Sequence, residues 1–148
     1  MQRNENRMEL RFSALPENEA FARLTVSAFV LPLDPGLEEL EDLKTAVSEA
    51  VTNAIVHAYP DTLGKVTMVM KLFEDNTVEV TVKDKGVGIA DLTQARTPLF
   101  TTGGAERAGM GFTIMESFTD GMKVRSAPGK GTAVVLSKRI ARRLGGPR

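Results

Sequence analysis

The sequence predicts a single α+β domain over residues 1–148, and three observations support this fold class. With 42% hydrophobic and 26% charged residues, the chain has the composition of a globular protein, and its length allows one hydrophobic core. An apolar stripe with helical spacing runs from about residue 37 to 58. Runs of alternating apolar residues precede and follow that helix, as is typical of β-strands.

The N-terminal part of the chain predicts one strand followed by one helix. Residues 8–14 alternate loosely between apolar and polar side chains, which indicates a strand. Pro16 suits a helix start, and Pro32 ends the helix because proline cannot continue the hydrogen-bond ladder. The helix is expected to bury the apolar residues that share one of its faces, namely Phe21, Leu24, Ala28 and Leu31.

A second, central helix is predicted to start at Asp34 and Pro35 and to continue to about Tyr59. Negative side chains are favoured near a helix N-terminus, which explains the acidic residues crowded there; an acidic docking patch is the alternative. These acidic residues are Asp34, Glu38, Glu39, Glu41 and Asp42. The stripe expected to face the core consists of Leu37, Leu40, Leu43, Val47, Ala50, Val51, Ala54 and Ala58.

The remainder of the chain predicts a β-hairpin, a long loop, a helix and two strands. The expected bounds are 65–73 and 77–84 for the hairpin, 109–118 for the helix, and 122–126 and 132–137 for the strands. Residues 85–108 show no period and exceed the usual limit of about 12–15 residues for an unstructured connection, so this loop is expected to be functional or disordered. The core therefore spans about 8–137, followed by a basic tail.

Composition excludes several classes of function. Lys+Arg and Asp+Glu are equal at 19 each, so the chain lacks the overall positive charge of a nucleic-acid-binding protein. The absence of cysteine removes disulfides, thiolate metal sites and thiol nucleophiles. No apolar stretch approaches the roughly 18 residues of a membrane span, and residues 1–11 have no apolar segment of a signal peptide. A cytoplasmic protein without membrane or direct nucleic-acid contacts is expected.

A first candidate site lies on the central helix. Glu49, Asn53 and His57 are four residues apart, so they form one line beside the apolar stripe. An amide oxygen can ligate a hard cation such as Mg²⁺, and a carboxylate one turn away can orient or deprotonate a nucleophile. A solvated helix face also explains the pair, and His57 is expected to be a hydrogen-bonded packing residue.

A second candidate site follows the predicted strand over 77–84. Asp84 falls on the same side as the buried valines of that strand, and a buried carboxylate needs a hydrogen-bond donor, such as the exocyclic amine of adenine. Gly86 and Gly88 would let a base or ribose lie against the backbone. A strand end with an Asp-Gly turn is the alternative.

A third candidate site precedes the last predicted helix. Gly109 and Gly111 would leave free backbone N–H groups at the helix start, where phosphates can bind. Arg107 could balance phosphate charge, or it is a solvated loop cation. Thr132 faces the same side of its strand as the core, which places its hydroxyl near Asp84, although ordinary strand packing explains it equally.

Together and in this order, the three sites resemble the boxes of the histidine-kinase-like ATPases, the superfamily that includes DNA gyrase and the sensor kinases. The N-box matches Glu49 to Asn53, the G1 box matches Asp84, Gly86 and Gly88, and the G2 box matches Gly109 and Gly111. Within this superfamily the chain looks most similar to the anti-sigma factor kinases of sporulating bacteria. The stretches that carry this likeness are VSEAVTNAIVHAY, KDKGVGI, PLFTT and GMGFTIMESF.

The resemblance implies a two-layer α/β sandwich of the Bergerat type, with helices on one face of a mixed, mainly antiparallel sheet. ATP and Mg²⁺ would bind between sheet, central helix and lid. Residue by residue, the implied roles are a general base for Glu49, a Mg²⁺ ligand for Asn53, adenine binding for Asp84, a border to the base for Gly86 and Gly88, phosphate binding for Arg107, Gly109 and Gly111, and partner contact for Arg23.

The resemblance further implies a homodimer that inhibits a sigma factor of RNA polymerase and phosphorylates a serine of an anti-anti-sigma factor. Three alternatives remain open at this point. They are a stress-response kinase with a different sigma partner, a nucleotide-gated binding module without transfer activity, and a generic ATPase domain of a larger enzyme.

Overall fold

The computed structural model describes residues 4–59, 62–87 and 105–141, with the backbone alone at 4–5 and 105–110. Its elements in chain order are β1 (Asn4–Ser13), α1 (Asn18–Val30), a 3-10 turn (Leu31–Leu33), α2 (Leu37–His57), β2 (Lys65–Phe73), β3 (Thr77–Asp84), α3 (Ala105–Ser117), β4 (Gly121–Ser126) and β5 (Thr132–Arg139). None of the helices in these ranges is both long and apolar enough to span a membrane.

The five described strands form one sheet in the order β1-β2-β3-β5-β4, and each neighbouring pair is antiparallel. The helices contribute their buried residues to the same apolar core as one face of this sheet, whereas the other face carries exposed charged side chains such as Arg11 and Lys83. The predicted α+β sandwich with a mainly antiparallel sheet is therefore confirmed.

Helix α2 lies at the centre of the core, as its apolar stripe predicts. Six of its residues are buried, and α2 contacts α1, α3 and the three strands β2, β3 and β5. Of the predicted stripe, only Leu37 is largely exposed, because it stands at the first position of the helix. This central position means that side chains on the flank of α2 lie at the boundary between the helices and the sheet.

Helix α1 buries a different face from the predicted one. The residues it buries are Ala22, Val26, Phe29 and Val30. Phe21, Leu24 and Leu31, which the spacing assigned to the core, are 67%, 63% and 64% exposed. The helix is apolar on both sides, so its periodicity alone could not identify the side that faces α2 and the sheet.

Helix α2 starts at Leu37, and not at the predicted Asp34 and Pro35, because Glu39 caps the chain at Gly36. The Gly36 N–H donates to one carboxylate oxygen of Glu39 at 2.8 Å, and the Ala141 N–H donates to the other at 2.7 Å. Asp34 instead has a left-handed conformation with φ 49° at the end of the 3-10 turn. Glu39 therefore joins the start of α2 to the chain beyond β5.

Replacing Glu39 with alanine should lower the free energy of unfolding by about 1–2 kcal/mol, because two backbone N–H groups lose a charged acceptor. Glu38 provides a matched control, since it is an exposed carboxylate in the same first turn. Glu38→Ala should change stability by less than about 0.5 kcal/mol. Urea unfolding of both variants checks this, and equal losses would show that only helix-dipole charge matters here.

Candidate functional site

Glu49 and Asn53 on α2 face Gly111 on α3. A β-carbon at Gly111 would lie 3.2 Å from Glu49 Oε2 and 3.0 Å from Asn53 Nδ2, which is tighter than ordinary van der Waals contact. The glycine therefore allows α3 to approach the two polar side chains closely. The structure thus brings together two of the three predicted sites.

The carboxamide of Asn53 is buried. Neither Oδ1 nor Nδ2 is solvent accessible, and neither finds a partner among the described residues. Buried polar groups are rarely left unpaired, so this amide fits a site whose ligand supplies the missing contacts. Its oxygen is a donor of the kind Mg²⁺ accepts.

The described ranges contain no cluster of three or more His, Asp or Glu side chains that could hold a metal ion. A magnesium ion at Asn53 would accordingly take its other ligands from water and from phosphate oxygens. Mg²⁺ commonly binds proteins in this way, with one or two side-chain ligands and several waters. The donor set around Asn53 therefore fits a metal that arrives with a nucleotide.

Asp84 ends β3 and is held by two backbone N–H groups. Its Oδ1 accepts from Gly86 at 2.9 Å and from Thr132 at 3.2 Å, while Oδ2 makes no hydrogen bond within the described chain. Burial raises the pKa of the Asp84 carboxyl, and the bonds from Gly86 and Thr132 partly oppose that rise. Asp84 is thus a fixed, half-buried acceptor with one oxygen available to a ligand.

Gly86 is required by a contact with α2. A β-carbon there would overlap the carbonyl of Ala58, and the next residue, Val87, donates its N–H to the same carbonyl oxygen at 2.8 Å. The start of the predicted loop is therefore bonded to the C-terminal end of the helix that carries Glu49 and Asn53. Gly88, the other predicted glycine of this motif, lies outside the described residues.

Thr132 contacts Asp84 through its backbone N–H, while its hydroxyl lies 2.7 Å from Ser126 Oγ. Asp84 and Thr132 are directly paired across β3 and β5. Thr132 is therefore close to Asp84, as the alternation predicted, but the group that reaches the carboxylate is the amide.

Helix α3 begins at Ala105, four residues before the predicted start. Gly109 and Gly111 consequently lie within the helix, and the amides without an intrahelical acceptor belong to its first turn. The expectation that a glycine-rich segment precedes the helix is corrected by these bounds. Arg107 also lies in α3, but its side chain is outside the described part, so phosphate binding by these residues stays a prediction.

Arg23 lies on a different helix from the other predicted site residues. On α1 it is half-buried, and its Nε is 3.1 Å from Glu19 Oε2, one turn away. Its predicted partner contact is therefore separate from the site formed around α2.

Two residues that sequence reasoning missed hold the strand ends beside Asp84. The Tyr59 hydroxyl donates to the Lys65 carbonyl at 2.7 Å and accepts from the Lys85 N–H at 2.8 Å. Gly131 has φ 80°, and a β-carbon there would overlap the Asp84 carbonyl. Neither residue belongs to a local pattern, apart from the Gly-Lys-Gly segment that suggests a turn.

Asp84→Asn should stabilise the nucleotide-free protein at neutral pH and weaken ATP binding about tenfold or more. The pKa of Asp84 is raised on folding, so its charged form opposes folding, and this effect disappears as the pH falls through the raised pKa towards the ordinary value. The gain should therefore shrink at low pH. Thermal unfolding between pH 4 and 8 measures it.

Asp75→Asn is a control for which the opposite change in stability is expected. Hydrogen bonds from Thr77 lower the pKa of Asp75, so removing that charge should destabilise the protein at neutral pH and matter less in acid. A loss of stability for Asp84→Asn at neutral pH would contradict the view that this carboxylate is kept for a ligand.

Comparison with known proteins gives a consistent result. A family model described as a histidine kinase-like ATPase domain matches residues 12–138. An anti-sigma F factor from Pasteuria penetrans is 56% identical over 137 residues, which cover 91% of each chain. The anti-sigma F factor of Bacillus subtilis (strain 168) is 52% identical over 139 residues, covering 93% of this chain and 94% of that one.

A solved structure has a similar fold. The crystal structure of the RsbU and RsbW domains of Rv1364c from Mycobacterium tuberculosis aligns with a TM-score of 0.67 and 18% identity. The alignment covers 93% of this chain and 32% of that chain. At this identity the likeness shows the fold alone, and it agrees with the sandwich of helices on an antiparallel sheet described above.

Proposed function

The chain belongs to the histidine kinase-like ATPase family and, within it, to the anti-sigma F factors, and from this premise we propose that it is a protein serine kinase. In this proposal it uses ATP and Mg²⁺ to phosphorylate an anti-anti-sigma factor. It also binds and inhibits a sporulation sigma factor of RNA polymerase, in the cytoplasm and as a homodimer.

The observation that carries the proposal is the position of Glu49 beside the carboxamide of Asn53, which has no partner among the described residues, with Gly111 of α3 against both. A site that only bound ATP and Mg²⁺ would need Asn53 but no base. A carboxylate one helical turn from the metal ligand favours transfer of the phosphoryl group over binding alone.

The roles proposed for the site residues are those that the family resemblance implies. Asn53 would hold the Mg²⁺, which would supply neutralising charge at the phosphates, and Asp84 would accept from the adenine amine through Oδ2. Glu49 removes the proton of the serine hydroxyl while that oxygen bonds to the γ-phosphorus and ADP leaves. Gly86 and Gly88 border the base. Arg107, Gly109 and Gly111 bind phosphates.

We propose an acceptor on another protein because the chain offers no histidine for autophosphorylation outside the site. Its single histidine, His57, lies on α2 in line with Glu49 and Asn53. Sensor kinases, by contrast, phosphorylate a histidine on a dedicated helical domain. A docked serine hydroxyl is the acceptor that fits the proposed base.

The partner surface is proposed to include α1. Phe21 and Leu24 on this helix and Leu31 directly after it expose apolar surface, and exposed apolar patches mark protein contacts. Arg23 lies on the same helix in an ion pair with Glu19, where it can contact a partner's carboxylate. This surface supports both the sigma contact and the homodimer.

Incubation with γ-labelled ATP and a candidate anti-anti-sigma factor tests the proposal. Label on an acceptor serine is the expected result, whereas steady phosphate release without labelled acceptor would indicate a generic ATPase. A pull-down of sporulation and stress-response sigma factors with and without ATP distinguishes the two sigma partners. ATP-dependent sigma binding without transfer would leave a nucleotide-gated binding module.

A further inference from the structure

A basic groove lies on the face of the sheet opposite the helices, near the strand ends that carry Asp84. We call it the open-face groove; its volume is about 1010 Å³. Six cationic side chains line it, namely Arg11, Lys65, Lys83, Lys85, Arg125 and Lys130. The proposed function uses none of these residues.

Three of the cations lie in one row across the sheet. Arg11 is paired with Thr67, which is paired with Lys83, and the row continues through Ala133 to Arg125. Neighbouring strands are about 4.8 Å apart, so successive cations are separated by two strands, or roughly 10 Å. The small side chains of Thr67 and Ala133 leave space between them.

The groove has an unbalanced positive charge. Its lining includes two carboxylates, and Glu9 is already paired with Arg7 at 3.1 Å and Arg11 at 3.4 Å. Asp84 accepts from backbone amides. In contrast, Lys83, Lys85, Arg125 and Lys130 have no carboxylate within 4.0 Å in the part of the chain that the structure describes. Like charges concentrated in a cleft attract an anionic ligand.

We propose that the open-face groove binds an acidic, extended segment of a partner protein. A chain extended in the polyproline II conformation rises about 3.1 Å per residue with three residues per turn, so carboxylates three residues apart lie on one side about 9 Å apart and match the cation row. Charge complementarity of this kind gives specificity and fast association. The inference does not depend on the proposed kinase activity, because it uses the sheet face away from Glu49 and Asn53.

The lining favours a polypeptide over nucleic acid. Single-stranded nucleic acid is held by stacking its bases on aromatic side chains. Tyr59 is the only aromatic residue that lines the described groove, and its hydroxyl is bonded to the backbone of Lys65 and Lys85. The equal numbers of acidic and basic residues in the chain also argue against a polyanion that covers a large surface.

A fluorescein-labelled peptide, (Asp-Gly-Ser)₄, tests the groove directly in an anisotropy titration at about 50 mM salt. The peptide should bind the full chain, and the K83Q/R125Q variant should bind it about fivefold or more weakly, since two ion pairs are lost. K71Q is the matched control, because Lys71 is on the same sheet face but outside the groove. It should change the affinity less than about twofold.

Binding measurements with other ligands and at higher salt identify the class of ligand. The corresponding Asn-Gly-Ser peptide should not bind, and higher salt should weaken the acidic peptide. No binding of the acidic peptide, or an equal effect of K71Q and K83Q/R125Q, would overturn the proposal. Tighter binding of a single-stranded oligonucleotide or of phosphatidylserine vesicles would also overturn it. Unchanged ATP affinity in K83Q/R125Q would show that the variant is folded and keep this result separate from the kinase assay.

Discussion

Glu49→Gln is expected to slow phosphoryl transfer to the acceptor serine at least about 100-fold while ATP still binds. Glutamine has nearly the shape of glutamate, so the close approach of Gly111 is preserved. It cannot take the proton of the incoming hydroxyl. Asn53, the proposed metal ligand, is unaltered, which is why nucleotide affinity should change little.

Single-turnover transfer of labelled phosphate and a separate ATP titration measure the two effects. Glu41→Gln is a suitable control, since Glu41 is an exposed glutamate on the same helix. It should transfer phosphate at the rate of the unmodified protein. Normal transfer by Glu49→Gln would remove the base assignment, and a parallel loss of ATP binding would instead assign Glu49 to the nucleotide or its metal.

Gly131→Ala is expected to lower the free energy of unfolding by about 3 kcal/mol or more. A non-glycine residue at positive φ costs about 1–2 kcal/mol, and displacement of neighbouring backbone adds about 1–3 kcal/mol. At this position φ is 80°, and the added carbon would overlap the Asp84 carbonyl and lie 2.8 Å from Lys85 Cα. Displacing this strand end should also weaken ATP binding about tenfold.

Gly129→Ala separates the steric effect from the effect of backbone conformation. Gly129 also has positive φ, at 74°, but a β-carbon there would meet nothing within 4 Å. Both substitutions reduce the entropy of the unfolded chain equally, so that contribution cancels in the comparison. Urea unfolding and ATP titration should show a smaller loss for Gly129→Ala. Equal losses would mean that the contact with Asp84 does not matter.

The strands were the most predictable part of the fold. β2 and β3 have the bounds that alternation gave, because one face of each strand is buried against the helices, whereas the other face is mostly only partly covered, with Val69 as a buried exception. Asn76, with φ 69°, provides the positive φ of the turn between them, a conformation that asparagine tolerates. Local sequence and burial agree in this hairpin.

Helix boundaries and the buried face of α1 were less predictable for a physical reason. α1 carries apolar residues on two sides, and only packing on α2 and the sheet decides which side is buried. The start of α2 depends on Glu39, whose two hydrogen bonds join Gly36 to Ala141, a residue distant in sequence. Such tertiary contacts leave no periodic signal.

In the candidate site too, residues that follow a local pattern were predicted, and residues held only by tertiary contacts were missed. Glu49, Asn53 and Asp84 were found because helix spacing and strand alternation place them beside the core. Tyr59 and Gly131 support the site through contacts with the backbone of other elements, at Lys65, Lys85 and Asp84, and were not predicted.

The hydrogen bond from the Val87 N–H to the Ala58 carbonyl fixes the distance between the proposed metal-binding and base-binding parts of the site. The proposed metal ligand, Asn53, and the residue that anchors the base-side loop, Ala58, are five positions apart on one continuous helix, or about 7.5 Å along its axis. One inserted residue between them would advance the anchor by about 1.5 Å and rotate it by about 100°. This turn of α2 should therefore accept many changes of side chain but no change in the number of residues.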